Sequence, residues 1–158
     1  KSEDWSAVNI TWISRNIITK RQISSTKEHG WKATELRTWL QNDFYDTLPI
    51  DLQKAIVKVR KSYRDITSGS TSVSDDNIWI PSVREVVGAN SVLSENSGAI
   101  YDNYFPTKES RIKYNSDGTI EEWQLRTATS VGFAFVTVSG TVSQAGLVKK
   151  GIVIGFCT

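Results

Sequence analysis

Nitrogen and sulfur donors are scarce in this chain. It has one histidine, His29, and one cysteine, Cys157. A zinc site takes three or four such ligands, and no second His or Cys stands at ligand spacing, so neither a transition metal nor any other cofactor is expected. His29, in "KEHGW", reads as a surface or hydrogen-bonded structural residue. Cys157 ends the apolar run "GIVIGFC" without a neighbouring His and reads as a small buried thiol, not a nucleophile. There is no phosphate loop and no G-x-S-x-G elbow. Hard oxygen donors occur in "NSDGTIEE" as Asn115, Asp117 and Glu121 or Glu122. The full calcium-loop spacing is missing, and a hairpin turn accounts for Asp117-Gly118. Asp102 and Glu109 would suit acid–base hydrolysis of a glycoside if a fold held them at a defined distance. Nothing in the sequence sets that distance.

Aromatic and small polar residues are the stronger lead. Tyr101, Tyr104 and Phe105 sit in a stretch without period, where rings offer stacking area and a polar handle. "WQLRTATSVGFAFVTVSG", residues 123–140, carries Arg126, Thr127, Thr129 and Ser130, hydrogen-bonding side chains with no catalytic partner nearby in sequence. Ser143 and Gln144 follow in a second polar loop. Arg126 has two readings: a binding group, or a structural arginine that bonds backbone carbonyls or a carboxylate such as Glu122. If the first reading holds, loops 126–130, 143–146 and 101–105 share one face of a rigid framework.

The elements that must position these groups follow from length and pattern. At 158 residues the chain fits one domain over 1–158, long enough for a real core. It opens at Lys1 without a Met, as a processed chain or the excised C-terminal domain of a longer protein would. No apolar run is long enough to span a membrane, and no membrane insertion is expected. A net charge of +2 is too small to call for nucleic acid. Lys54, Lys58, Arg60, Lys61 and Arg64 cluster, and read as the solvated face of a helix.

One or two strands are expected between Ile10 and Ile23. A first helix follows in "WKATELRTWLQNDFY", capped by Thr34, with Leu36, Trp39, Leu40 and Phe44 on one face. "LPIDLQKAIVKVRKSY" reads as a second helix and "TSGSTSVSDDN" as a loop. "IWI" is a short strand. "PSVREVVG" is a third helix with Ser82 and Glu85 as its capping box. Residues 89–110 show no period. "RIKYNSDGTIEEWQL" is a hairpin, and alternating strands run to the end. The order predicts an α+β fold, helices packed on a small twisted antiparallel sheet with long irregular loops.

Four segments carry a resemblance. "GWKATELRTWLQNDFYDTLP", "DNIWIPSVREVVG", "EEWQLRTATS" and "GIVIGFC" resemble, in order, the blocks of a domain-of-unknown-function family of bacteria and their prophages. That family has W-x-x-S-x-L-R-x-W-L and W-L-R-S blocks and closes on a "G-V-R-P" strand, where this chain has Ile152–Ile154. The block order is similar to the C-type-lectin-like fold in its formylglycine-generating-enzyme-like branch. The copper cysteines of those enzymes and the calcium–sugar signature of vertebrate lectins are both missing here, so neither activity is implied. What the resemblance implies is display. Phage and bacterial members include receptor-binding proteins and ligand-binding proteins diversified by retroelements, with contact residues between the late W-x-R and the terminal strand. The expectation is a non-enzymatic binding domain on a virion or bacterial cell surface. Its partner would be a host cell-surface protein or a glycan, and homo-oligomers are compatible with it. A carbohydrate-active or lytic accessory domain and a structural envelope or virion module stay open as alternatives.

Overall fold

The structure, a computed structural model, describes residues 10–158 except residues 90, 92 and 96. The opening nine residues, included in the single domain expected above, lie outside the described residues.

Strands dominate. The chain enters through β1 (Thr11–Ile13) and β2 (Thr19–Arg21). A 3-10 turn, Trp31–Ala33, leads into α1 (Glu35–Trp39), which continues through a π turn, Leu40–Phe44. After α2 (Ile50–Ala55) come β3 (Val59–Arg64), β4 (Thr71–Asp76) and α3 (Val83–Val87). A hairpin of β5 (Lys113–Tyr114) and β6 (Ile120–Glu121) follows residues 89–112. The chain closes with β7 (Trp123–Ala128), β8 (Phe133–Val136), β9 (Val142–Ala145), β10 (Lys150–Ile152) and β11 (Gly155–Cys157).

Five strands form the main sheet in the order β2-β10-β7-β8-β9. The β10–β7 contact is parallel and the others antiparallel, so the sheet is mixed. β1 pairs with β11, β3 with β4 and β5 with β6 in three two-stranded sheets.

The expected α+β, C-type-lectin-like arrangement of helices on a small antiparallel sheet is therefore corrected: the chain is mostly β, with short helices. The main error lay in "LPIDLQKAIVKVRKSY". Its helix stops at Ala55, and Val59–Arg64 is a strand paired residue for residue with Thr71–Asp76, the segment expected as a loop. The competing signal is period two. Val59, Lys61 and Tyr63 fall on one side of the strand, and β-branched residues favour the pleated conformation. Asp65 closes the hairpin, its Oδ1 accepting from the backbone N–H groups of Thr67 and Ser68.

Local capping behaves as the residue types dictate. Thr34 Oγ1 accepts from the N–H of Arg37 at 3.2 Å. Ser82 and Glu85 form a reciprocal capping box on α3. In the first helical segment Leu36 and Leu40 are buried, whereas Trp39 is half-buried against Phe44 and under the Arg21 guanidinium.

β7 lies between β10 and β8, and all six of its residues are buried. Trp123 and Leu125 join a cluster with Val83, Val86, Phe105, Ala134 and Val136. Ala128 joins the other cluster, built on Trp31, Leu36, Leu40, Ile78, Trp79 and Phe133. A polar residue on such a strand must find partners inside the protein, and β7 carries Gln124, Arg126 and Thr127.

Candidate binding site

The polar centre of the molecule gathers around Glu85. Residue 85 is the third position of α3, so its carboxylate turns back toward the helix start, where Oε2 accepts from the N–H of Ser82 at 2.9 Å. Arg126 Nη1, from β7, reaches the same oxygen at 2.5 Å. Lys61 Nζ, from β3, reaches Oε1 at 3.1 Å. All three side chains are buried. Arg126 also donates to the carbonyls of Ile80 (2.8 Å) and Ser62 (3.1 Å), so the guanidinium ties α3, β3 and β7 together. Burial pushes the Glu85 carboxyl up, but the Arg126 and Lys61 charges outweigh it and hold the group at about 2. Burial lowers Lys61 against the attraction of Glu85.

Lys61 carries the network outward. Its ammonium lies 3.6 Å from the Trp79 ring centroid and 2.5 Å from the phenol oxygen of Tyr101. Tyr101 is thus fixed at its hydroxyl and also at its backbone, where its N–H donates to the Glu85 carbonyl at 3.0 Å. Burial, and then the Glu85 charge, push the phenol well above its usual range. It is a protonated anchor.

The half-exposed side of Tyr101 opens onto a cleft of about 360 Å³. Ile100, Tyr101, Asp102, Asn103, Tyr104 and Thr11 line it. The Tyr104 hydroxyl donates to the Thr11 carbonyl, closing the loop onto β1, and the two tyrosine rings meet edge to face at 6.1 Å. Beneath them Phe105 is buried and stacks on Trp123 at 6.0 Å. The cleft therefore has a rigid aromatic floor and exposed carboxylate, amide and phenol groups at its rim.

The sequence-derived residues separate into three groups. Tyr101 and Tyr104 line the cleft. Arg126, Thr127 and Thr129 are buried. Arg126 takes the structural reading, with Glu85 as its carboxylate in place of Glu122, which pairs with Lys150 at 2.5 Å. Thr127 Oγ1 donates to Glu95 at 2.6 Å and accepts from the N–H of Val83 at 2.8 Å. Thr129 Oγ1 accepts from the N–H of Gly132 in the β7–β8 turn. Ser130 is exposed in that turn, its carbonyl accepting from Lys27. Ser143 and Gln144 lie on β9, the edge of the main sheet, paired with Phe135 and Ala134. The Ser130 turn and the end of β9 are neighbours: a Cβ at Gly132 would fall 2.2 Å from the Ala145 carbonyl oxygen. The tyrosine loop packs instead on Glu85, β1 and Trp123, and no hydrogen bond or ring contact among the described residues joins it to that turn. Asp102 is in the cleft lining, and Glu109 is not.

Two participants were missed by the sequence reading. Lys61 was assigned to a solvated basic face, although its place between Val59 and Tyr63 in a period-two pattern puts it on the inner side of a strand. Glu95 is buried against Thr127 from a segment without any period, and no sequence signal marks it.

The site is thus a buried ion-pair centre in a mostly β scaffold, with a rim of aromatic and polar groups on one loop. The chain belongs to the family described as Domain of unknown function (DUF6273), whose match covers residues 9–155. No similar curated protein and no similar solved structure was found.

Proposed function

We propose that this domain is a non-enzymatic ligand-binding module of a phage or bacterial surface protein, with the Ile100–Tyr104 cleft as its contact site and a host-surface glycan as its partner. One observation carries the reading: Tyr101 is pinned at its hydroxyl by Lys61, 2.5 Å away, while its loop lines an open cleft with Asp102, Asn103 and Tyr104. Rings offer flat apolar faces for the C–H side of a sugar, and carboxylate and amide groups bond its hydroxyls. A preorganised floor lowers the ordering cost of binding.

The non-enzymatic reading is supported by the same residues. The Tyr101 phenol is pushed up, not down, which does not suit a general base near neutral pH. Among the described residues, Asp102 has no second carboxylate beside it in the cleft lining.

The test is a glycan array followed by titration of the best binder. Asp102→Asn should weaken binding about tenfold with unchanged thermal unfolding, and Tyr104→Ala should weaken it about as much with a loss of about 1 kcal/mol from its bond to the Thr11 carbonyl. Binding that survives both substitutions would remove the cleft from the reading. Hydrolysis of a bound glycan would replace the module with an enzyme.

A further inference from the structure

A second cavity, of about 490 Å³, opens beside the β5–β6 hairpin and shares no lining residue with the tyrosine cleft. Arg15, Ser110, Lys113, Asn115 and Ser116 are in its wall. Lys113 is buried, and its ammonium donates to the carbonyls of Ser14 (3.0 Å) and Arg15 (3.1 Å). An ammonium has three N–H donors, and those two bonds leave one. Buried lysines are ordinarily paired with a carboxylate. Lys61 has Glu85 and Lys150 has Glu122, but among the described residues neither Lys113 nor Arg15 has a carboxylate within 4.0 Å.

The nearby acids are occupied elsewhere. Glu121 pairs with Lys20 at 3.0 Å and accepts from Asn115. Asp117 accepts from the N–H and hydroxyl of Thr119. Two cations thus line one open cavity without a counter-charge of their own among the described residues, while the remaining wall mixes hydroxyl and amide groups with Ile112, Tyr114 and Gly118.

We propose that this cavity is an anion site, built for an oxyanion group, carboxylate or phosphate, carried on a ligand about the size of one sugar ring. Arg15, exposed at the rim, meets the anion with its planar fork, and Lys113 supplies the charge at the base. The cavity does not depend on the tyrosine cleft being a binding site.

The experiment is calorimetric titration of the whole chain with glucuronate, glucose 6-phosphate and neutral glucose at constant ionic strength. One or both of the acidic sugars should bind saturably, and glucose should not. Preference for glucuronate would identify a carboxylate ligand, and preference for glucose 6-phosphate a phosphate ligand. Arg15→Ala should weaken that binding about tenfold, as expected for one charge-assisted hydrogen bond, and Arg15→Lys should recover part of it. Lys113→Met should abolish it, scored only if the variant unfolds cooperatively; the exposed Arg15 variants decide the matter otherwise. No saturable binding of either acidic sugar, equal binding of glucose, or full binding by Arg15→Ala would each overturn the proposal.

Discussion

Arg126 Nη1 stands 2.5 Å from Oε2 of Glu85, with both side chains buried, and the pair joins the central strand to the first turn of α3. Two further donors, the Ser82 N–H and the Lys61 ammonium, converge on the Glu85 carboxylate, and Arg126 also donates to the Ile80 and Ser62 carbonyls, so neither charge faces an empty interior. Removing Arg126 takes away the stronger of the two counter-charges of Glu85 and leaves only Lys61. Arg126→Met should therefore cost about 3–5 kcal/mol in urea unfolding, as for a broken buried ion pair. A loss below about 1 kcal/mol would mean that the pair is dispensable to the fold.

Acid unfolding should carry the signature of two carboxyls with opposite shifts. Glu85 titrates at about 2 in the fold, because the Arg126 and Lys61 charges overcome its burial; its ordinary value is 4.5. Below pH 4.5 the unfolded chain takes up this proton first, so stability falls as pH drops from about 4.5 toward 2. Burial raises Glu95 instead, against the pull of Arg126 and the Thr127 hydrogen bond. There the folded chain protonates first, and stability gains as pH falls toward 4.5. Glu95→Gln should remove the gain and leave the loss. A wild-type acid limb that Glu95→Gln does not alter above pH 4.5 would contradict the Glu95 assignment.

Thr127 and Ser143 should part company on substitution. Thr127→Val leaves the N–H of Val83 without its acceptor and Oε1 of Glu95 without its donor, at about 1–3 kcal/mol. Ser143→Ala and Gln144→Ala, on the edge strand, should stay within about 0.5 kcal/mol. Chemical denaturation of the three variants measures this directly, and equal effects would contradict the burial difference.

Leu40→Ala should cost more than Trp39→Ala, although the tryptophan is the larger side chain. Leu40 is fully buried in the core and should lose about 2–5 kcal/mol. Trp39 is half-buried and held by Phe44 and Arg21 at the protein surface. The reverse order in thermal or urea unfolding would place Trp39 in the core after all.

The sequence by itself determined the local features. The Thr34 cap, the Ser82–Glu85 capping box, the turn at Asp117-Gly118 and the closing run of strands follow from side chains acting on backbone within a few residues. It also singled out Tyr101, Tyr104 and Arg126 as residues to follow. Only the tertiary structure decided what each is for. Whether 59–64 is helix or strand turned on Thr71–Asp76 lying alongside to complete its ladder, since period two and helix propensity compete there. Whether Arg126 faces solvent or Glu85 turned on β7 being covered on both faces, which follows from sheet order. Sheet order and burial are set by contacts between residues far apart in the chain, here 41 positions for Arg126 and Glu85 and 40 for Lys61 and Tyr101. No local pattern encodes those separations. They arise when the strands pack and each buried charge must meet its partner.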